Sequence, residues 1–341
     1  MKIYGILLVL VTLIFILAPI AAVEKAGDEP ETSQSESIPG VSTQRDGPAE
    51  QGASYPSPDG GAIKVLRSFS ETVETLSETD YLIGAVAAEM PVTYHAEALK
   101  AQAIACYTYA LYNKSLQEAD PSDSLKGAHL SDSPSRHQGY LSPAERREKW
   151  GDKADAYEDR IRLAVMEVQG KALTYDGAYI MAAFHALCPG KTESAKVVWG
   201  KEYPYLQSVV SAGDKLSPDY SDTLVLTKAQ FAQLLSSVPG AEFTGDASKW
   251  VSGAETSGSG IVTSVKVGGA KVSGTDIRTA LGLRSAAFTI DYADGSFTVK
   301  TTGYGHFVGM SQYGADYMAR QGFTWEDIVR HYYMGIMITN V

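Results

Sequence analysis

Apolar and polar positions recur with different periods along the chain, and those periods locate its elements. From residue 3 to 23 no charge interrupts an apolar run. At 1.5 Å of rise per residue such a run is long enough to cross a bilayer core of about 30 Å. Residues 24 to 61 reverse the pattern, being rich in Glu, Ser, Pro, Gly and Gln and nearly free of large apolar side chains. Such a stretch cannot offset the entropy of ordering and reads as a flexible tether. Ile63 to Leu66 then begins the folded region as a strand. Ser77 to Asp80 is a helix-start cluster, and Leu82, Val86 and Met90 share one face of a helix over Tyr81 to Glu89. Pro91 ends it, because the residue before a proline is pushed out of the helical region. Leu99, Ala103, Cys106 and Ala110 line one face of a second helix from about Ala96 to Asn113, and Ile104 and Leu111 widen that face.

Further on, Asp120 to Tyr140 is a long polar loop, a type of segment that is often functional in a compact domain. Ala144 to Gln169 reads as one helix with Ile161, Val165 and Val168 on its apolar side. Lys171 to Thr174 and Tyr179 to His185 read as hairpin arms around Asp176-Gly177. Val198 to Val210 suggests a loop and a short strand, and Thr227 to Ser237 an amphipathic helix. Ile261 to Val267 is a strand, Thr275 to Leu281 a short helix, and Ala287 to Thr301 a hairpin around Asp294-Gly295. The Gly-rich Gly303 to Gly314 leads into a helix, and Trp325 to Tyr333 is helical again. There is no regular β-α alternation and no fixed repeat. The expected class is α+β, with mixed helices and antiparallel strands in a single globular domain over residues 62–341.

Charge refines this division. The chain carries a formal charge of −11, and residues 23–61 alone supply −6 of it. The folded part is therefore only mildly acidic. No basic stripe is present, so a nucleic-acid partner is not expected. Lys2 and the amino terminus lie on the short side of the apolar run, which places the remainder outside the cytoplasm, held to the cell membrane by a single pass over residues 1–23. Cleavage as a signal peptide is the alternative, with the end of the run (Ala18, Ile20, Ala21, Ala22) as a weak small-residue site. Cys106 and Cys188 could pair in an exported protein or remain free.

The candidate chemistry centres on Glu89. A carboxylate in the last turn of a helix meets the partial negative charge of that end, and burial behind Ala85, Val86 and Ala88 would raise its pKa further. Both effects favour the protonated form that a general acid needs. The alternative is an exposed helix-end Glu. His306, Ser311 and Gln312 lie in GYGHFVGMSQYGA, where Gly303, Gly305 and Gly309 permit unusual dihedrals and close approach. Side chains there could orient a polar substrate. His185, in AAFHALCPGKTES, sits at a Pro-Gly turn and is either a cleft residue or a core histidine. Tyr203 and Tyr205, near Trp199, could stack on sugar rings or fill a core. His129 and His137 match no standard zinc spacing, so neither a metal nor a cofactor is expected. No serine-triad signature or phosphate-binding loop is present.

At these residues the sequence resembles the stage II sporulation protein D family of peptidoglycan lytic transglycosylases. The resemblance rests on YLIGAVAAEMP followed by EALKAQAIA, on GKALTYDGAYIMAAFHA with GKTES and the VWG and YPYL segments, and on GYGHFVGMSQYGADYMA. It implies that Glu89 is the catalytic acid, acting on the bond between N-acetylmuramic acid and N-acetylglucosamine and leaving a 1,6-anhydro sugar without water. It also implies glycan strands stripped of stem peptides as substrate, with a partner amidase and a membrane protein during engulfment of the forespore. A non-catalytic peptidoglycan-binding or amidase-enhancer protein of the same fold is the alternative. Plain hydrolysis would call for a second carboxylate. The chain departs from the family's pattern at Tyr107 (commonly Arg), at Cys188-Pro189-Gly190 (commonly Ser-Gly-Gly) and at Phe307 (commonly Gly). Some clostridial members carry a Cys/His cluster in the loop that matches Asp120 to Tyr140. Ser131, Arg136 and His137 stand in that loop here, and no metal is carried over.

Overall fold

The computed structural model describes residues 61–341. The expected anchor over 1–23 and nearly all of the expected tether lie outside the described residues. Among the described residues no helix is long and apolar enough to cross a membrane.

β1 (Ile63–Arg67) and β2 (Thr72–Leu76) pair antiparallel. The Ser77 hydroxyl then accepts from the Asp80 amide and caps α1 (Glu78–Glu89), which carries Glu78 and Asp80 in its first turn. From Tyr81 to Ala87 every residue of α1 is buried, so this helix runs through the core instead of lying over it. α2 (Ala96–Ala119) continues six residues past the expected end at Asn113. Those residues are largely exposed and four of the six are polar, so apolar periodicity could not reveal them, yet none of them breaks a helix.

Within the long loop, β3 (Leu130–Ser131) adds to β1 in parallel. The single helix expected over 144–169 is in fact two, α3 (Pro143–Trp150) and α4 (Ala154–Val168). Gly151 separates them at φ 52° and ψ −128°, a conformation a side chain would disfavour. β4 (Lys171–Tyr175) and β5 (Ala178–Tyr179) form the expected hairpin, with Asp176 and Gly177 both at positive φ as a type I′ turn requires. The second arm is shorter than expected: β6 (Phe184–His185) leaves the hairpin and pairs in parallel with Met310–Ser311. Where a loop and strand were expected from Val198, the structure has α5 (Ala195–Trp199) followed by irregular chain. Pro204 lacks the amide that a ladder there would use.

Residues 221–302 build a lobe with its own core. β7 (Ser221–Thr227) leads through α6 (Lys228–Leu234) to β8 (Val251–Thr256), β9 (Val262–Val267) and β10 (Ala270–Val272). α7 (Gly274–Leu281) then precedes β11 (Phe288–Ala293) and β12 (Ser296–Thr302). These strands form two antiparallel sheets, ordered β10-β9-β8 and β11-β12-β7. Phe231 and Phe297 stack in this core with ring centroids 3.8 Å apart, beside Val265, Val267 and Ile277. The described residues fall within one compact unit, which holds two main cores.

β13 (Met310–Ser311), α8 (Gln312–Arg320), α9 (Trp325–Tyr332) and β14 (Met337–Asn340) return the chain to the first core. That core surrounds α1 and α2, and β14 closes it by pairing with β4. The class is α+β as expected, although β1–β3 and β6–β13 are parallel pairs among the antiparallel ones.

Candidate active site

Glu89 is the last residue of α1, and the last turn of that helix contains no basic residue. Its final carbonyls, which lack partners inside the helix, are met by side chains from two distant elements. Lys149 of α3 donates its ammonium to the Ala87 carbonyl at 2.9 Å. Gln312, at the start of α8, donates its Nε2 to the Glu89 carbonyl at 2.9 Å and lies 3.3 Å from Gln102 Oε1. Together they supply the positive charge and the donors that the helix end itself lacks.

The carboxylate of Glu89 accepts a hydrogen bond from the main-chain amide of Gly139, at the end of the long polar loop. A Cβ at position 139 would sit 3.0 Å from Ala88 Cβ and 3.1 Å from Glu89 Oε1, so glycine is what lets the backbone come this close. The residues around Gly139 are fixed in turn. Gln138 donates to the Cys106 carbonyl at 3.0 Å and to the Tyr81 hydroxyl. Tyr140 packs over Gly84, where a Cβ would lie 2.2 Å from its ring. Arg146, almost fully buried, donates to the Leu141 carbonyl at 2.8 Å and pairs with Glu158 at 3.0 Å.

Burial raises the pKa of Glu89 above its ordinary value of 4.5, and the Gly139 amide and the Lys149 charge only partly offset it. Burial in turn lowers the pKa of Lys149, against the pull of Glu89. The thiol of Cys106 is raised first by burial and then by the Glu89 charge. No second carboxylate is among the groups that shift Glu89. This arrangement can hold a proton on a single carboxyl group at a pH where an exposed Glu would be ionised.

Of the other candidates, Gln312 joins Glu89, though through the helix carbonyl and not through the carboxylate. His185, His306 and Ser311 gather around a second centre. The rings of His185 and His306 lie 5.7 Å apart, and Trp199 lies 5.1 Å from His306. Burial, then the charge of Arg278, pushes His306 down to about 4, so it is neutral at physiological pH. His185 is 4% exposed and Ser311 is fully buried, which fits them for positioning other groups more than for touching a glycan strand. Tyr203 packs against Tyr205, with the Lys201 ammonium 4.9 Å from its ring. Trp199 keeps an exposed face, the more accessible of the sugar-stacking candidates.

Cys106 and Cys188 are both free and buried. His129 accepts from the Lys64 amide, and His137 sits 3.0 Å from the Ser131 hydroxyl, so the loop histidines serve local structure. Tyr107 donates to Glu78 at 2.7 Å. Glu78 opens α1 and Glu89 closes it, about 16 Å away along the axis, so this departure from the family's pattern lies at the far end of the helix. Among the described residues, one group could hold a metal ion: His185, Cys188 and Asp214. The sequence reading missed it because Asp214 lies 26 residues beyond Cys188 in a segment with no recognisable motif.

The family described as SpoIID, stage II sporulation protein, matches residues 68–175. The chain is 39% identical over 292 residues to Stage II sporulation protein D of Bacillus subtilis (strain 168), spanning 86% of this chain and 83% of that protein. It is 40% identical over 278 residues to Stage II sporulation protein D of Bacillus amyloliquefaciens, spanning 82% and 78%. A more distant relative, the amidase enhancer of Bacillus subtilis (strain 168), is 25% identical over 316 residues and is covered over 40% of its length.

Proposed function

The chain belongs to the stage II sporulation protein D family, and we propose that it is a lytic transglycosylase. It cleaves between N-acetylmuramic acid and N-acetylglucosamine in peptidoglycan glycan strands and leaves 1,6-anhydro ends. The observation that carries this reading is the buried carboxyl of Glu89, whose pKa burial raises and which accepts from the Gly139 amide, with no second carboxylate among the groups that shift it.

A hydrolase needs one carboxyl group as acid and another as base or nucleophile. A transglycosylase needs one. The Glu89 carboxyl donates its proton to the leaving glycosidic oxygen as the bond to C1 breaks. The resulting carboxylate takes the proton of the sugar's 6-hydroxyl as that oxygen bonds to C1, and the group ends protonated as it began. The protein acts on strands freed of stem peptides by an amidase partner, during sporulation, from a membrane anchor at the chain's amino end. The relative named amidase enhancer supports a second reading, a non-catalytic peptidoglycan-binding protein that assists an amidase.

Incubation of the full chain with peptide-free glycan strands, followed by mass spectrometry, separates these. The expected products are anhydro-muramyl ends, lost in Glu89→Gln. Reducing ends would mean hydrolysis, and binding without turnover would favour the second reading.

A further inference from the structure

Behind the surface that carries His306 lies a buried cluster that glycan cleavage does not use. A ring nitrogen of His185, the Cys188 sulfur and an Asp214 oxygen all lie within 4.8 Å of one another. The residues are 4%, 0% and 0% exposed. His185 Nδ1 lies 3.2 Å from the Val308 carbonyl, an acceptor, so Nδ1 carries the proton and Nε2 presents its lone pair. Nε2 is buried without any hydrogen-bond partner. A buried acceptor left in this way is costly, and in a native fold it calls for a reason.

We propose that His185, Cys188 and Asp214 hold a single zinc ion, through His185 Nε2, the Cys188 thiolate and an Asp214 carboxylate oxygen. The donor set is of the imidazole, thiolate and carboxylate type that zinc favours. The outer contacts are those of a metal site as well. The second nitrogen of a ligating histidine usually donates to a carbonyl, here that of Val308. Asp214 is oriented by the Cys188 amide at 2.9 Å and by the Ser311 hydroxyl at 2.8 Å. Tetrahedral ligands at zinc stand about 3.5 Å apart, so the donors, all within 4.8 Å of one another, have to adjust, and Cys188 Sγ and Asp214 Oδ2, now 2.8 Å apart, have to separate.

Binding exchanges a proton for the metal: the Cys188 S–H bond breaks, its electron pair goes to zinc, and the proton leaves to solvent. No electron is transferred. The ion would tie β6 to the segment that carries Asp214, and through Ser311 to the start of α8, where Gln312 holds the Glu89 carbonyl. Its role is structural, one step removed from the catalytic carboxyl.

Metal analysis of the full chain, purified without chelator, should find one zinc per chain, falling to background in Cys188→Ser and in Asp214→Asn. Because either variant could fail to fold, cobalt(II) added to the metal-stripped wild-type chain is the second measurement. The expected result is a near-ultraviolet cobalt–thiolate charge-transfer band, displaced by zinc. Background metal in the wild-type chain together with no such band overturns the proposal. So does a folded Cys188→Ser chain that keeps its zinc. Neither readout depends on glycan cleavage, so failure here leaves the transglycosylase reading standing.

Discussion

The main-chain amide of Gly139 donates to the carboxylate of Glu89, across fifty residues of sequence. The contact assigns a purpose to the long polar loop: it brings an uncharged donor to a helix-end carboxyl, lowering its pKa by less than burial raises it. Gly139→Ala tests this directly. The backbone at 139 lies outside the left-handed region, but a new methyl group would meet Ala88 Cβ at 3.0 Å and Glu89 Oε1 at 3.1 Å, so both the loop and the carboxylate have to shift. Displacement of a catalytic group by about 1 Å costs on the order of 10²-fold in rate. The expected outcome is a kcat lowered by up to about that factor, with an unfolding transition somewhat below wild type. Unchanged kcat would mean that the carboxylate position does not matter.

Glu89 should also cost the protein stability. Its pKa is raised in the folded state, so its contribution is fully present below the ordinary value of 4.5 and is lost as pH rises through the folded value. Glu89→Gln keeps an oxygen for the Gly139 amide and cannot ionise. It should be inactive yet more stable than wild type by about 0.5–2 kcal/mol at pH 8, with the difference vanishing near pH 4. Urea unfolding at the two pH values decides it, and equal stability at both would remove burial as the cause of the shift.

Lys149 sets the other limit on this acid. Its charge lowers the Glu89 pKa, against the larger effect of burial. In Lys149→Met the Glu89 proton is held more tightly, and the alkaline limb of the kcat/KM profile should move to higher pH. The lost bond to the Ala87 carbonyl costs about 0.5–1.5 kcal/mol of stability. A limb that moves to lower pH would show that Lys149 does not act on Glu89 by its charge.

Much of this arrangement was legible in sequence, and the rest was hidden for identifiable reasons. Glu89 stood out because a carboxylate closed an apolar run that the structure buries. Its helix, the Asp176-Gly177 and Asp294-Gly295 hairpins and the final helices followed from period and turn chemistry. Gly139 and Lys149 carried no such signal: one is a glycine among loop residues, the other a charge among charges. β8 escaped because it is mostly exposed, so its residues show no alternation. Two departures from the family's pattern, Cys188 and Phe307, fall into one small apolar cluster. Neither could be seen as a pair while the two were 119 positions apart in a string.

Phe307 supplies the last test. It is fully buried against Cys188, Ile261, Ala286 and Ala287, yet its φ is 66°, in the left-handed region. That conformation costs a non-glycine residue about 1–2 kcal/mol. Removing a buried phenylalanine side chain costs about 3–5 kcal/mol. Packing therefore outweighs strain, and wild type should be more stable than either small variant. Phe307→Gly loses the packing but relieves the backbone, whereas Phe307→Ala loses the packing and keeps the strain. The expected order of stability in urea is wild type, then Phe307→Gly, then Phe307→Ala, with the last two about 1 kcal/mol apart. Finding the alanine variant as stable as the glycine variant would show that position 307 carries no left-handed strain, and that the phenylalanine is held there by packing alone.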